Sequence, residues 1–474
     1  MVLQREMRLP VWGTAEPGER VTVEFAGERA SATAGAGGAW RVDLPALQAS
    51  DEARVLTVVG SRSAAPLRLS DVLVGEVWLA SGQSNMTFPM SVKVAYYAGV
   101  TNEAEEIRVA NYPKIRMFTA EATKAYEPRP AVPGTWQVCS PATVSAFSAI
   151  GYFFARDLQR VLNVPIGIVT SAYGASTAEA WIQREVLEAD LEMKPMIDRF
   201  DAVVASFRLH PPPVVAAPRS EDVSAKPKRS TGPRDPIQDQ HNPTVLFNGM
   251  IHPLIPYAIR GAIWYQGESI VGGAAGRALY PHVQAALIAD WRALWGEGNF
   301  PFYIVQLAGQ EAESNSPVVR EAQATVLQLP NTGMAVTTDI GEAKNVHPHN
   351  KQDVGDRLAR IALAKTYGKA IEYSGPVYEG CSQEGSAIRV RFAHAAGGLV
   401  ARGGPLNWVT IAGPDHVFVP AEATIDGATI LVRSPSVTEP VAVRYAWVNF
   451  PDGCNLYNTD GLPAAQFRTD TGRP

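Results

Sequence analysis

The chain has 474 residues, of which 46% are hydrophobic and 19% are charged, and its formal net charge is −5. This composition is typical of a globular protein with about three domains. The mild acidity disfavours nucleic acid or an anionic membrane as a partner. No apolar run reaches the roughly 18 residues that a membrane-spanning helix requires. We therefore expect neither a nucleic-acid partner nor a membrane partner, and the oligomeric state stays open.

The N-terminal region, residues 1–70, consists of short strand-like runs separated by turns. Arg20–Phe25 alternates polar and apolar residues, glycines cluster at Gly35–Gly38, and Arg54–Val59 is again strand-like. Frequent short strands with glycine turns are typical of a small β-sandwich. No combination of catalytic side chains is visible here, so we expect an accessory domain.

A buried strand with a polar end follows. Val72–Ala80 is rich in valine, which is typical of a parallel strand covered on both faces, and small polar residues follow at Ser81–Asn85. In open α/β sheets, ligands bind at the carboxyl ends of the strands. Ser84 is therefore a candidate nucleophile. The alternative is a turn serine that caps the next helix.

Residues 71–368 continue as alternating strands and helices, which predicts a parallel sheet. The chain looks loop-rich between Ser84 and Thr135, and residues 183–207 look like one amphipathic helix. Residues 209–242 are rich in proline, lysine and arginine and predict a solvated insertion. The further core strands are expected at 166–170, 261–265, 302–307 and 334–341, and the further helices at 145–163, 279–294, 318–327 and 350–361.

Four segments in order carry a resemblance to a known family. They read Gly-Gln-Ser-Asn-Met at 82–86, Ala-Glu-Ala-Trp at 178–181, Trp-Tyr-Gln-Gly-Glu-Ser at 264–269 and His-Pro-His-Asn-Lys at 347–351. This set resembles the SGNH hydrolase superfamily, in its sialate O-acetylesterase-like, carbohydrate-esterase branch. The resemblance implies an α/β fold of the SGNH (flavodoxin-like) type, a three-layer α/β/α parallel sheet flanked by N- and C-terminal β-sandwich-like domains.

The resemblance also implies roles for particular residues. Ser84 would be the nucleophile and His347 the general base, because a serine hydroxyl needs a neutral imidazole within about 3 Å to take its proton. The oxyanion hole would consist of the backbone N–H groups of Ser84 and Gly174 and the side-chain amide of Gln266. The alternatives are a glycine required only by its turn and a histidine that is an ordinary loop residue. Arg320 and Gln323 match a further family pattern, as structural or substrate-rim residues.

A carboxylate is missing next to the histidine. Relatives place aspartate two or three residues before it, whereas this chain has Asn345 and Lys344. A carboxylate would fix the imidazole tautomer and stabilise the imidazolium. We favour a Ser84–His347 dyad helped by a backbone carbonyl or by Asn345. In the alternative, a carboxylate approaches from elsewhere, or binds substrate; the candidates are Asp339, Glu342 and Glu268.

Neither a metal nor a cofactor is expected. His347 and His349 flank a proline and lack a set of carboxylates, so a metal site that also uses His252 is a weak alternative. The three cysteines lack metal-ligand spacing and are expected to be buried thiols, although a Cys381–Cys454 disulfide stays open. Residues 369–474 return to short strands with glycine turns, which predicts a C-terminal β-domain.

The predicted function is that of an enzyme, a serine carbohydrate O-acetylesterase. Its partner would be an acetylated carbohydrate, either sialic acid or a plant polysaccharide such as xylan. The alternatives are a catalytically impaired sugar-binding protein on the same fold and a short-chain GDSL-type esterase. Relatives are usually secreted or periplasmic, but Met1–Arg5 leads straight into strand-like sequence with no signal peptide, so the localisation stays open.

Overall fold

A computed structural model describes residues 1–210, 234–270, 273–312 and 316–470 of the chain. Most of the insertion predicted at 209–242 lies outside these ranges. Within them, none of the helices combines the length and the apolar character that crossing a bilayer would demand.

The N-terminal region is a set of short, mostly antiparallel strands. They are β1 (Val2–Gln4), β2 (Leu9–Thr14), β3 (Arg20–Phe25), β4 (Glu28–Thr33), β5 (Ala39–Leu44) and β6 (Ser50–Gly60). In β3 and β5 alternate side chains are buried, so one face of each strand contributes to a small apolar core of its own.

The long strand β7 (Leu67–Gly82) belongs to two sheets. Its first part pairs antiparallel with β6, and its second part, from Glu76 onward, pairs parallel with a neighbour on each side. Residues 72–82 are buried, which agrees with the valine-rich sequence of a strand covered on both faces. The domain boundary predicted after residue 70 therefore lies within a continuous strand.

The central sheet is mixed. Its remaining strands are β8 (Tyr112–Ala120), β9 (Gly134–Cys139), β10 (Ile166–Ala172), β11 (Gly261–Tyr265), β12 (Phe302–Val305) and β13 (Thr332–Ala335). The spatial order is β13-β12-β11-β7-β10-β8-β9. Every pair is parallel except β8 with β9. The expectation of a purely parallel sheet is thus wrong at one edge.

Two sequence expectations for this region were wrong in detail. β8 lies in the stretch predicted to be loop, because its sequence mixes Pro113 and charged residues with a short buried run at 115–117. The helix predicted over 183–207 is divided into two, because the Asp190 carboxylate accepts hydrogen bonds from the N–H groups of Glu192 and Met193 and so ends the first helix in a turn.

Within the described ranges, eight α-helices accompany the sheet. They are α1 (Ser84–Thr87), α2 (Glu103–Val109), α3 (Ala149–Leu162), α4 (Arg184–Ala189), α5 (Lys194–Leu209), α6 (Ala274–Trp295), α7 (Ser316–Ala324) and α8 (Lys351–Lys365). Helix α3 packs along α8, α6 along α7, and α4 along α5. The packing of α8 on α3 fixes the start of α8, which follows the loop that carries His347.

The C-terminal region consists of small antiparallel sheets. Its strands are β14 (Val377–Glu384), β15 (Ala387–Ala393), β16 (Leu399–Ala401), β17 (Val409–Ala412), β18 (Val419–Pro420), β19 (Glu422–Asp426), β20 (Thr429–Arg433), β21 (Ala442–Tyr445), β22 (Leu456–Asn458) and β23 (Phe467–Arg468). Two four-stranded sheets, β14-β15-β20-β19 and β18-β17-β21-β23, contribute to a common apolar core, which is a β-sandwich-like arrangement. All three cysteines are free, so the Cys381–Cys454 disulfide is not formed.

One buried charge lies in the middle of β7. Glu76 is completely buried and forms ion pairs with Arg5 and with Arg260, whose Nε lies 2.8 Å from its carboxylate. Gln4 donates a further hydrogen bond of 3.1 Å. Burial alone would raise the pKa of Glu76, but the hydrogen bonds and charge of Arg260 and the hydrogen bonds from Arg5 and Gln4 outweigh it and lower the pKa. The cluster connects the N-terminal sheet to the central one.

Candidate active site

Ser84 lies at the corner where β7 ends. Gly82 has φ +129°, and a Cβ there would lie 2.1 Å from the carbonyl oxygen of Tyr265 on the neighbouring strand β11. Only glycine tolerates this approach. Gln83 then donates its N–H to the same carbonyl at 2.8 Å, and α1 begins at Ser84. The turn thus presents a half-buried serine hydroxyl at the carboxyl end of the central strand.

His347 lies against this hydroxyl. Its Nε2 is 2.8 Å from Ser84 Oγ, across 263 residues of sequence. The backbone of His347 is held by Asn345, whose Oδ1 accepts from the His347 N–H and whose Nδ2 donates to the His347 carbonyl, both at 2.9 Å. At this distance a neutral imidazole can take the serine proton.

No carboxylate of the described residues hydrogen-bonds to the His347 ring. Asp339, predicted as a possible partner, instead accepts two hydrogen bonds of 2.7 Å from Arg357 and one from Tyr457. Glu342 accepts from the N–H and from Nδ1 of His349. Both carboxylates hydrogen-bond to these other residues, and neither contacts the His347 ring.

Glu268 and Asn345 also differ from the expected orientation. Glu268 accepts a hydrogen bond from Asn85 Nδ2, next to the serine in sequence, and Asn345 contacts the backbone of His347, not its ring. Within the described chain, the geometry is therefore a serine–histidine pair without a hydrogen-bonded acid.

A buried lysine lies beside this pair. Lys351 is 1% exposed, donates to Asn85 Oδ1 at 2.6 Å, and lies 4.5 Å from the ring centre of Phe88. No carboxylate of a described residue lies within ion-pair distance of its Nζ. Burial lowers the pKa of Lys351 to about 7, although Glu268 and Glu342 oppose this.

Burial and the neighbouring lysine both lower the pKa of His347. Burial lowers the pKa of His347 to about 4, and the positive charges of Lys351 and then of His349 contribute to the same direction. The imidazole is thereby kept neutral over the range in which an ordinary histidine, with a pKa of about 6.5, becomes protonated. A neutral ring is the form that accepts a proton from serine.

Backbone donors lie next to the serine. A Cβ built on Gly174, in the loop after β10, would lie 3.7 Å from Ser84 Cβ. Tyr173 fixes this loop by donating its N–H to the Gly82 carbonyl at 2.9 Å. Among the described residues, the N–H groups of Ser84 and Gly174 donate to no protein acceptor. They are therefore available to an oxyanion.

Gln266 has a different set of contacts from the one expected of an oxyanion donor. It is completely buried, its Nε2 donates to the Ser176 carbonyl at 3.1 Å, and its Oε1 accepts from Tyr280 at 2.9 Å. No hydrogen bond joins it to Ser84 in the described part of the chain. Because Ser176 is two residues after Gly174, the amide holds the Gly174 loop against β11.

The two residues expected to be structural or at the substrate rim, Arg320 and Gln323, are both completely buried. Gln323 bonds to the backbone of Leu307 and Gln266, and Arg320 bonds to Gln466 in the C-terminal region. Both are structural.

Two residues that sequence reasoning missed contact the histidine or its surroundings. Lys351 is part of the recognised His-Pro-His-Asn-Lys segment, four residues after His347, and that spacing was the available signal. Tyr97 packs its ring at 4.8 Å from the His347 ring, and nothing in its sequence neighbourhood indicated this.

The described residues contain no group of three histidine, cysteine, aspartate or glutamate side chains arranged to hold a metal ion. His252, one member of the weak alternative metal set, directs Nδ1 at the Arg129 carbonyl, 2.9 Å away.

Comparisons with known proteins point to one family. The family model described as "Carbohydrate esterase, sialic acid-specific acetylesterase" matches residues 241–364. The sialate O-acetylesterase of Rattus norvegicus is 29% identical over 98% of this chain and 92% of its own length, and that of Homo sapiens is 27% identical over 98% and 90%. A crystal structure of a carbohydrate acetylesterase from Xanthomonas citri is 37% identical, with a TM-score of 0.83 over 99% of this chain and 97% of that one.

Proposed function

We infer that this chain, which belongs to the sialate O-acetylesterase-like family of carbohydrate esterases and is an acetylesterase, releases acetate from O-acetylated sugars with Ser84 as its nucleophile. The observation that carries this proposal is the 2.8 Å contact between Ser84 Oγ and His347 Nε2 at the end of the central strand. Neither a metal nor a cofactor is required for this reaction.

In the first half of the reaction, Ser84 Oγ attacks the acetyl carbonyl while its proton passes to His347 Nε2. The negative charge that develops on the carbonyl oxygen is stabilised by the N–H groups of Ser84 and Gly174, and each such donor is worth about 3 kcal/mol in comparable sites. When the tetrahedral intermediate collapses, the bond to the sugar oxygen breaks. The sugar hydroxyl leaves with the proton from His347, and the acetyl group stays on Ser84.

In the second half, water attacks the acetyl-serine ester and gives a proton to His347. The new tetrahedral intermediate expels the serine oxygen, which recovers that proton, and acetate leaves. Since no carboxylate of the described residues hydrogen-bonds to the His347 ring, the imidazolium is not stabilised by an acid in either half and its proton must be passed on quickly. The low pKa of His347, caused first by burial and then by Lys351, supports this because it makes the imidazolium a strong acid.

For the sugar, two classes remain in the proposal, sialic acid and plant polysaccharides such as xylan. The names of the mammalian relatives support the first class for those proteins, and the bacterial relative of known structure is named as a carbohydrate acetylesterase without a stated sugar.

The test is acetate release from a panel of O-acetylated sialic acid, acetylated xylan fragments and acetylated pectin fragments. We expect turnover of at least one, and Ser84→Ala should lower kcat at least about 10³-fold. Ser81→Ala is the matched control, because Ser81 is a buried serine in β7 whose hydroxyl has no hydrogen-bond partner among the described residues. Undiminished turnover by Ser84→Ala would remove Ser84 from the mechanism.

A further inference from the structure

An exposed aromatic residue lies close to the Ser84–His347 pair. The loop at 91–99 follows α1, and Tyr96 at its tip is 93% exposed. The Tyr96 ring contacts the Tyr97 ring edge-on, with ring centres 5.6 Å apart, and Tyr97 in turn packs on His347. Tyr96 is thus separated from the histidine by a single side chain. Tyrosine is enriched at interfaces, because its ring supplies apolar contact area while its hydroxyl stays available for hydrogen bonds.

The base of the loop is fixed. Glu103 accepts a hydrogen bond from Ser91 Oγ and one of 3.0 Å from the Val92 N–H. Gly99 has φ +100°, and a Cβ there would lie 2.6 Å from the Glu103 carboxylate. The Val100 N–H closes the loop by donating to the Met90 carbonyl at 3.1 Å. A loop held in this way presents its ring without a large ordering cost on binding.

We propose that Tyr96, supported by Tyr97, is the platform on which the pyranose ring of the acetylated sugar stacks while its acetyl group lies at Ser84. This inference rests on the proposed function, since it concerns the sugar that carries the ester. An acetyl group is only a few bonds long, so the sugar must lie at the mouth of the site, beside His347.

The chemistry of the ring fits such a ligand. One face of a pyranose presents C–H groups that match the electron-rich face of tyrosine, and the phenolic hydroxyl can exchange hydrogen bonds with the sugar hydroxyls. Binding sites commonly combine apolar contact area with a few polar groups in this way. The loop residues Val92 and Val94 are also exposed, at 50% and 51%, so the apolar surface extends beyond the ring.

The experiment compares kinetics on O-acetylated xylo-oligosaccharide with kinetics on p-nitrophenyl acetate, which has no sugar. Tyr96→Ala should raise KM for the oligosaccharide about tenfold with little change in kcat. The ratio of kcat/KM on the oligosaccharide to kcat/KM on p-nitrophenyl acetate should fall by the same factor. Tyr96→Trp keeps an aromatic face and should restore the ratio. Leu191→Ala removes another highly exposed apolar side chain, 90% exposed between α4 and α5, and should leave the ratio unchanged.

Binding measured separately from catalysis completes the test. In a Ser84→Ala background, calorimetric titration with the same oligosaccharide should show about tenfold weaker affinity when Tyr96→Ala is added, equivalent to about 1.4 kcal/mol. Equal effects of Tyr96→Ala on both substrates, or none on the oligosaccharide, would overturn the platform. The platform would also be wrong if Tyr96→Ala changed the protein from dimer to monomer on size-exclusion chromatography while KM for the oligosaccharide stayed the same. In that case a second copy of the chain would cover the loop.

The two proposals fail differently. If the wild-type protein releases no acetate from any acetylated sugar, the proposed function is wrong and the platform is wrong with it. If it does release acetate and Tyr96→Ala has an unchanged KM, only the platform is wrong.

Discussion

The strand β7 carries the buried charge of Glu76 and leads at its end to Ser84, the proposed nucleophile, and the two surroundings differ in how charge is compensated. At Glu76 the carboxylate is completely buried and is paired with Arg5 and Arg260. Near Ser84 the buried charge is Lys351, whose described partners are the neutral amide of Asn85 and aromatic rings. The charge of Glu76 is thus balanced by two arginines. No carboxylate of the described residues forms an ion pair with Lys351.

We interpret this difference as one between a structural cluster at Glu76 and the proposed catalytic site at Ser84. The paired charges at Glu76 stabilise the connection between two sheets. Because opposite charges largely cancel, they have little electrostatic effect on more distant groups. An unpaired buried cation acts on its neighbours, and here it contributes to the low pKa of His347. The Glu76 cluster should therefore matter for folding, and the Lys351 cluster for chemistry.

The largest effect on kcat is expected for substitution of the proposed base, His347. His347→Ala removes the group in contact with Ser84 Oγ and should lower kcat about 10⁴-fold. The control is His349→Ala two residues later, since His349 pairs with Glu342 and does not contact the serine. We expect it to keep kcat within about threefold. Similar losses in both variants, measured on p-nitrophenyl acetate, would contradict the assignment of His347 alone.

At the structural end, Glu76→Leu leaves two arginines without their buried partner. The free energy of unfolding should fall by about 3 kcal/mol, as read from urea denaturation, whereas kcat of the folded enzyme should stay near that of the wild type. A Glu76→Leu protein with wild-type stability would show that this ion-pair cluster does not hold the sheets together.

The pH profile tests the unpaired lysine. The base must be neutral, so kcat/KM should fall only as the pH drops through the pKa of His347, which burial and then Lys351 lower to about 4. Lys351→Met removes a positive charge and should raise that pKa, so the acid limb of the profile should shift to higher pH. Because the pKa of Lys351 is itself about 7, the two profiles should converge above neutral pH. An unshifted limb would mean that Lys351 does not contribute to the low pKa of His347.

The Lys351→Met variant can also be compared with Glu76→Leu in its free energy of unfolding. The fold lowers the pKa of Lys351, so the unfolded chain binds its proton more tightly and the folded protein bears the full cost of holding it below about pH 7. Lys351→Met should therefore not lower the free energy of unfolding at pH 6. A loss as large as that of Glu76→Leu would mean that the lysine is structural.

The smallest effect is expected at Asn345. Asn345→Asp would place an aspartate two residues before His347, but at this position the side chain contacts the His347 backbone and donates to Glu342. A carboxylate cannot donate these bonds and would repel Glu342. We expect kcat to fall about tenfold. A gain in kcat would instead indicate that the aspartate reaches the ring and completes a triad.

The sequence was informative where local pattern and chemistry agree. The buried strand before Ser84 is readable from its apolar run and polar end, whereas the roles of Gly174 and of the segment that begins at His347 came from the resemblance to the esterase family. The strand β8 was missed because its sequence mixes Pro113 and charged residues with only a short buried run at 115–117. The orientation of Gln266 could not be read either, since it depends on Ser176 and Tyr280, which are distant in sequence. The contact of Tyr97 with His347 likewise depends on tertiary packing.

The most direct test of the account is labelling with a serine-directed fluorophosphonate followed by peptide mass spectrometry, because it reports the reactive residue and the base that activates it. We expect labelling at Ser84 in the wild-type protein and near-complete loss of that labelling in His347→Ala. The His349→Ala protein should still be labelled. Labelling at another residue, or undiminished labelling of Ser84 without His347, would contradict it.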